Sequence, residues 1–279
     1  MNYRHVYHAG NFADVVKHAV LTLLILYLQR KDKGFLVLDT HAGRGLYQLD
    51  DPMAVKTREA RDGIARVLAT PNPPKHLAPY LRVVNAIRER HGKEAYPGSP
   101  LIIAQLLRAQ DRLVASELQP GEANALAMTL GALRRARVLT EDGYHSLKSQ
   151  LPPPERRALI VVDPPFESEG EFAAIAKSIE GAVTKFPTGL YMVWLAVKDR
   201  KAIEALYGEI QSAGIDDAMS LEWQVREPIV GTGLTAAALL LINPPFSLKE
   251  ELLDIMPWLT RTLAQGPGAR WDFKRITAE

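Results

Sequence analysis

The sequence predicts an α/β fold built on a mostly parallel, doubly wound sheet. Three observations lead there. Short apolar runs alternate with amphipathic stretches, most of the runs end on an acidic residue, and within each run the apolar character is nearly continuous. Continuous runs mark strands covered by helices on both faces, as in parallel sheets. Such a sheet presents its ligand site at the carboxyl ends of its strands, so the acidic residues there are the first functional candidates.

In chain order the strand runs are FLVLD at 35–39, LVASE at 113–117, RVLTED at 137–142, ALIVVD at 158–163, LYMVWLAV at 190–197 and LTAAALLLIN at 234–243. Ahead of the first, Asn11 caps a helix with Asp14 at its third position and Val15, Val16, Ala19, Val20, Leu23 and Leu24 on its apolar side. After the first strand, a helical insertion at about 50–96 reads as two amphipathic helices, near 57–69 and 76–91. Pro71, Pro73 and Pro74 separate them. Ser99 then caps a helix whose first position is Pro100. The expected organisation is one domain over residues 1–279 carrying that insertion.

The hydrophobic and charged fractions, 47% and 24%, are those of an ordinary globular protein. With no cysteine, disulfides, thiolate metal sites and cysteine nucleophiles are excluded. The start, MNYRHVYHAGNF, lacks the apolar core of a signal peptide, and the apolar runs look shorter than the ~18 residues of a membrane span. A cytoplasmic protein is expected. Net charge is +2, but basic clusters occur at Arg134, Arg135 and Arg137, at Arg156 and Arg157, and at Lys198, Arg200 and Lys201. Each is compatible with phosphate contacts or with a solvated face.

Asp163-Pro164-Pro165-Phe166, directly after the fourth strand, is the sharpest chemical signal. The lone pair of an exocyclic adenine amine is delocalised into the ring. A carboxylate and a backbone carbonyl accepting its two N–H bonds draw that pair out of conjugation. Prolines hold the acceptors in place, and an aromatic residue offers a face for a flipped base. The plain alternative is a tight turn with Phe166 in the core. A second copy, Asn243-Pro244-Pro245-Phe246, follows the last strand. Order along the chain favours Asp163, whose strand neighbours the first, and gives Asn243 a structural role.

Around this loop, the first strand leads into Asp39-Thr40-His41-Ala42-Gly43-Arg44-Gly45, where glycine lets backbone amides approach a ligand. Gln48 occupies the third glycine position of the dinucleotide fingerprint, so that fingerprint is absent. Glu117 suits a ribose diol, and Asp142-Gly143 an adenine. His5, His8 and His18 match no zinc spacing. The N-terminal aromatics and histidines fit a lid, a nucleic-acid contact or simple packing.

The segments YRHVYHAGNFADVVKHAVL, LDTHAGRGLYQL, YPGSPLI, SELQP, EDGYHSL and LIVVDPPF, in this order, resemble the RlmJ family, which methylates N6 of one adenine in 23S ribosomal RNA. The resemblance implies a Rossmann-like class I methyltransferase fold and S-adenosylmethionine as methyl donor. It implies cofactor contacts at His18, His41, Ser99, Glu117, Asp142, Gly143 and Asp163; Lys17 lies in the same matching block, and Gly43 joins them from the glycine loop read above. Asp163 would be the catalytic acceptor in the reaction loop with Pro164, Pro165 and Phe166, and Tyr3 would contact the target adenine. Phe166 stands where many relatives carry tyrosine, so a role needing the hydroxyl does not transfer. The expected partner is 23S rRNA, protein-free or as an early precursor, with no membrane, no metal and the chain a monomer. The competing activities are methylation of DNA adenine or protein glutamine through the same loop, nicotinamide chemistry on a doubly wound sheet, and RNA binding without catalysis. No separate domain for reading DNA sequence stands in the chain, and Glu117 lies too far past the glycine loop for a nicotinamide site.

Overall fold

The structure, a computed structural model, describes residues 5–131, 133–167, 170–228 and 233–277. Among them, eight strands form one sheet. Five are parallel: β1 (Leu36–Asp39), β4 (Arg112–Ser116), β5 (Ala136–Leu139), β6 (Ala158–Val162) and β7 (Leu190–Ala196). Three antiparallel additions follow: β8 (Ala218–Gln224), β9 (Ala236–Ile242) and β10 (Arg270–Arg275). The spatial order is β10-β8-β9-β7-β6-β1-β4-β5. The chain starts in the middle with β1, winds outward to β5, then returns through β6 on the other side. That reversal opens a crevice at the carboxyl ends of β1 and β6. The fold is the expected α/β class.

Alternate residues of each strand pack on opposite layers. Val37, Leu113 and Val161 face α1 (Phe12–Gln29), α6 (Ser99–Leu106), α7 (Pro120–Leu130) and α11 (Leu248–Leu263). Leu36, Val114 and Ile160 face α8 (Gly143–Gln150), α9 (Glu171–Lys185) and α10 (Arg200–Ser212). Contrary to the impression from short runs, α1 has the length and apolarity of a membrane span, with mean hydropathy 1.5 over 18 residues, but 83% of it is buried inside the protein. Its first turns carry Asp14 and Lys17, both buried. Asn11 caps it as expected, accepting from the Asp14 amide at 2.9 Å.

The insertion differs from the two expected helices. A short pair, β2 (Leu46–Gln48) and β3 (Ala95–Pro97), closes its base. Its first half is three pieces, α2 (Pro52–Thr57), α3 (Glu59–Asp62) and α4 (Ile64–Ala69), and its second is α5 (Ala78–His91). The break at Gly63 has a steric cause: a Cβ there would lie 2.1 Å from the Gly10 carbonyl oxygen. The N-terminal turn thus presses into the insertion. Ser99 is also not the cap of α6. Gly98 occupies that position, and the Ser99 hydroxyl is used elsewhere.

Candidate active site

The loop after β1 shapes the first wall of the crevice. Gly43 (φ +60°) and Gly45 (φ +80°) adopt the left-handed conformation that favours glycine. A Cβ at Gly43 would sit 2.4 Å from the Tyr47 hydroxyl. Glu117, one residue past β4, receives the Gly43 amide at 2.9 Å and the Gln119 amide at 2.8 Å, so the second strand's acid braces the first strand's loop. Burial raises the Glu117 carboxyl above its ordinary range, against the two amide bonds. Asp39 is fully buried and accepts the Ser99 hydroxyl at 2.7 Å. Burial pushes it up to about 7, with the Ser99 bond opposing.

Asp142 lies three residues beyond β5 and caps α8, accepting from the His145 amide at 2.9 Å. Glycine follows it for a local reason: a Cβ at Gly143 would lie 2.2 Å from the Thr40 carbonyl oxygen. His41 meets Tyr144 edge-on, ring centroids 5.4 Å apart, and burial lowers its pKa. These walls enclose a cavity of about 580 Å³. All nine positions expected to contact a cofactor line it: Lys17, His18, His41, Gly43, Ser99, Glu117, Asp142, Gly143 and Asp163.

Two of the nine carry further connections. The buried His18 ring pairs with the Tyr96 hydroxyl at 2.8 Å, and Tyr96 with the Tyr80 hydroxyl at 3.0 Å. Burial drives His18 down to about 3, so the ring is neutral. The buried Lys17 ammonium donates to Asp163 Oδ2 at 2.5 Å and lies 2.8 Å from Asp14 Oδ1. Burial opposes the charge on Lys17, but the two carboxylates win and raise its pKa. Asp14 Oδ2 in turn accepts the Gly10 amide and pairs with His5 Nε2, each at 3.0 Å. Burial would raise Asp14, but His5 and Lys17 hold it well below the carboxylate range.

A second cavity of about 730 Å³ opens on the far side of Asp163. His5, Lys17, Asp163 and Pro165 line both cavities, so the Asp-Pro-Pro loop forms their common wall. Phe166, at φ +53°, lines only the second, where its ring packs on Phe172 at 5.1 Å and edge-on to Trp194 at 5.5 Å. Pro164 is buried behind the loop. Among the described residues, no group of three His, Asp or Glu side chains could hold a metal. The expected Tyr3 contact lies outside the described residues.

The second Pro-Pro loop is elsewhere. Because β9 runs antiparallel to β7, Asn243 emerges at the opposite end of the sheet, level with the start of β7. Its side-chain amide donates to the Pro187 and Gly189 carbonyls at 2.8 and 2.6 Å. Phe246 is left 88% exposed. Sequence reasoning missed Asp14 and Trp194 as parts of the site. An Asp-x-x-Lys pair inside a mostly apolar helix was the available signal.

The model of the family described as ribosomal RNA large subunit methyltransferase D, RlmJ, matches residues 32–276. The ribosomal RNA large subunit methyltransferase J of Haemophilus influenzae is 37% identical over the full length of both chains. Its counterpart from Escherichia coli is 40% identical over 93% of this chain and 92% of that one. A crystal structure of a Legionella pneumophila protein superposes with a TM-score of 0.88 at 36% identity, covering 96% of this chain and 98% of the other. On this similarity, spanning sheet, insertion and Asp-Pro-Pro-Phe loop alike, the chain belongs to the RlmJ family of ribosomal RNA large subunit methyltransferases.

Proposed function

We propose that this enzyme transfers a methyl group from S-adenosylmethionine to N6 of an adenine in 23S ribosomal RNA. The observation that carries the reading is the shared wall. Asp163 and Pro165 stand between a cavity whose lining includes Glu117, Asp142, Gly43 and Gly143 and a second cavity that offers Phe166 and Trp194 beside the same aspartate. The first has a volume common for small-ligand sites, roughly 300–1,000 Å³. Its acceptors fit an adenosine cofactor: Glu117 accepts from a ribose diol and Asp142 from an adenine amine. Bound there, S-adenosylmethionine supplies an electrophilic methyl group.

The protein's own residues do the rest. Lys17 engages Asp163 Oδ2, and no described residue donates to Oδ1, which accepts one N–H of the target amine. Pro164 and Pro165 have no amide N–H, so this part of the loop offers acceptors only. A loop carbonyl takes the second N–H, and the nitrogen lone pair turns towards the first cavity. Accepting the methyl group would cost the amine nitrogen a proton, for which Asp163 is the adjacent base. Phe166, braced by Phe172 and Trp194, supports the base from the side. Donors and acceptors fixed before reaction need no reorganisation in the transition state.

The test is methylation of an in vitro 23S rRNA transcript, with the product nucleoside identified by mass spectrometry. N6-methyladenosine at one position is expected. Methylation of duplex DNA or of a protein glutamine, with none on the transcript, would overturn the reading.

A further inference from the structure

Of the three basic clusters, two residues of the last, Lys198 and Arg200, have different fates. Arg200 is forked onto Glu222, with Nη1–Oε2 at 2.6 Å, and Asp199 caps α10 by accepting the Lys201 amide at 2.9 Å. Lys198, exposed in the turn after β7, lines the second cavity, and its ammonium has no hydrogen bond or ion pair among the described residues. A tight turn fixes its backbone, the Lys198 amide donating to the Ala196 carbonyl at 3.0 Å.

The charges along this cavity are ordered. Deep in it, Lys17 bridges Asp14 and Asp163, whose Oδ1 is the acceptor proposed above for the target amine. At the rim, His8 is held by Glu59 at 3.0 Å, and Lys198 is close enough to act on His8, opposing the rise in pKa that its bond to Glu59 imposes. Strand register sets the scale: Val162 pairs with Val193, so Asp163 emerges level with Trp194. Lys198 follows four residues later, at most about 14 Å of chain. An amine-accepting floor and, at the mouth, a cation uncommitted among the described residues match the polarity of one nucleotide, base inward and phosphate outward.

We propose that Lys198 is a phosphate anchor: its ammonium binds a phosphodiester flanking the target adenosine and sets the depth at which the base meets Asp163. This rests on the RNA-methylating reading above. Lys198 is a positioning residue, acting on substrate placement and not on the transferred methyl.

The test compares wild type, Lys198→Ala, Lys198→Arg and Lys201→Ala on a 23S rRNA transcript across a salt series, reading single-turnover rate, half-saturating RNA and direct RNA affinity. For Lys198→Ala, half-saturating RNA should rise about tenfold, the scale of one lost charge-assisted contact. The slope of log affinity against log salt should fall by about 0.7–0.9, the value of one phosphate contact. S-adenosylhomocysteine affinity should not move. Lys198→Arg should recover most of the loss, and Lys201→Ala should match wild type. A ligated transcript with a neutral methylphosphonate at one flanking phosphate should weaken wild type but add no further loss to Lys198→Ala. An unchanged salt slope in Lys198→Ala, or a methylphosphonate effect that adds in full to the substitution, would overturn the proposal. Should wild type methylate no RNA, the functional reading fails, and equal RNA affinity of wild type and Lys198→Ala would refute the anchor separately.

Discussion

Lys17→Met removes the ammonium that sits between Asp14 and Asp163 and keeps a side chain of similar length. Lys17 and Asp14 expose only 4% and 3% of their side chains, so the substitution leaves a buried carboxylate without its lysine partner. Breaking a buried pair by removing one partner costs about 3–5 kcal/mol. Asp14 keeps the Gly10 amide and His5, which favours the lower end of that range. The sign against pH follows from the direction of the Asp14 shift. Its carboxyl lies well below the ordinary value, so its stabilisation is present above an unfolded pKa of 3.8 and is lost as pH falls through the folded value. Without Lys17, burial drives that pKa upward, so the deficit is largest near neutrality and shrinks in acid. Urea unfolding at pH 7 and pH 4 reads this directly. The double variant Asp14→Asn/Lys17→Met removes the stranded charge and should recover most of the stability. Methylation should stay depressed by about 10²–10³-fold, the loss seen when a preorganised polar contact goes. Full activity in the double variant, or wild-type stability in Lys17→Met, would refute the assignment of Lys17 as the support of Asp163.

Glu117→Ala should weaken S-adenosylmethionine binding about tenfold or more, the scale of a charge-assisted bond worth about 1.5–3 kcal/mol; calorimetry giving unchanged affinity would remove Glu117 from the site. Asp39→Asn should raise stability relative to wild type as pH goes from 5 to 8, because a carboxyl lifted to about 7 confers stability below its unfolded value and loses it as pH rises through 7. An equal difference at pH 5 and pH 8 in urea unfolding would contradict that. Gly143→Ala forces a Cβ against the Thr40 carbonyl, so a cost of about 1–3 kcal/mol is expected, with weaker cofactor binding as the two walls part. Wild-type melting and affinity would show that the loops do not need that approach.

The parallel half of the sheet was legible because its strands are buried on both faces: FLVLD and ALIVVD carry no polar residue before their terminal acid. The same rule hid β8 and β10. AMSLEWQ interrupts its apolar residues with Ser220 and Glu222, and RWDFKR is an edge strand with mostly exposed side chains. The continuous helix expected at 57–69 failed for a tertiary reason, since Gly63 yields to the backbone of Gly10. In the site, acidic strand ends led to Asp39, Glu117 and Asp163, and the family resemblance to Lys17 and His18. Neither pointed to the Asp14–Lys17–Asp163 chain, which joins residues 146 positions apart and exists only once α1 packs on the sheet. The choice between the two Pro-Pro loops was reached through chain order. The structural difference between them is strand direction: antiparallel β9 carries Asn243 to the end of the sheet opposite Asp163.

That choice is also where the account is most exposed. Asp163→Ala and Asn243→Ala should be compared in single-turnover methylation of the 23S transcript at saturating S-adenosylmethionine, so that binding defects do not pass for chemistry. Cofactor affinity of each variant should be measured alongside. The account predicts a rate loss of about 10²–10³ for Asp163→Ala. For Asn243→Ala it predicts a near wild-type rate, with a stability loss of about 1 kcal/mol from its two carbonyl contacts. A folded, cofactor-binding Asn243→Ala protein without turnover, beside an active Asp163→Ala, would contradict the central claim that methyl transfer occurs at the wall between the two cavities.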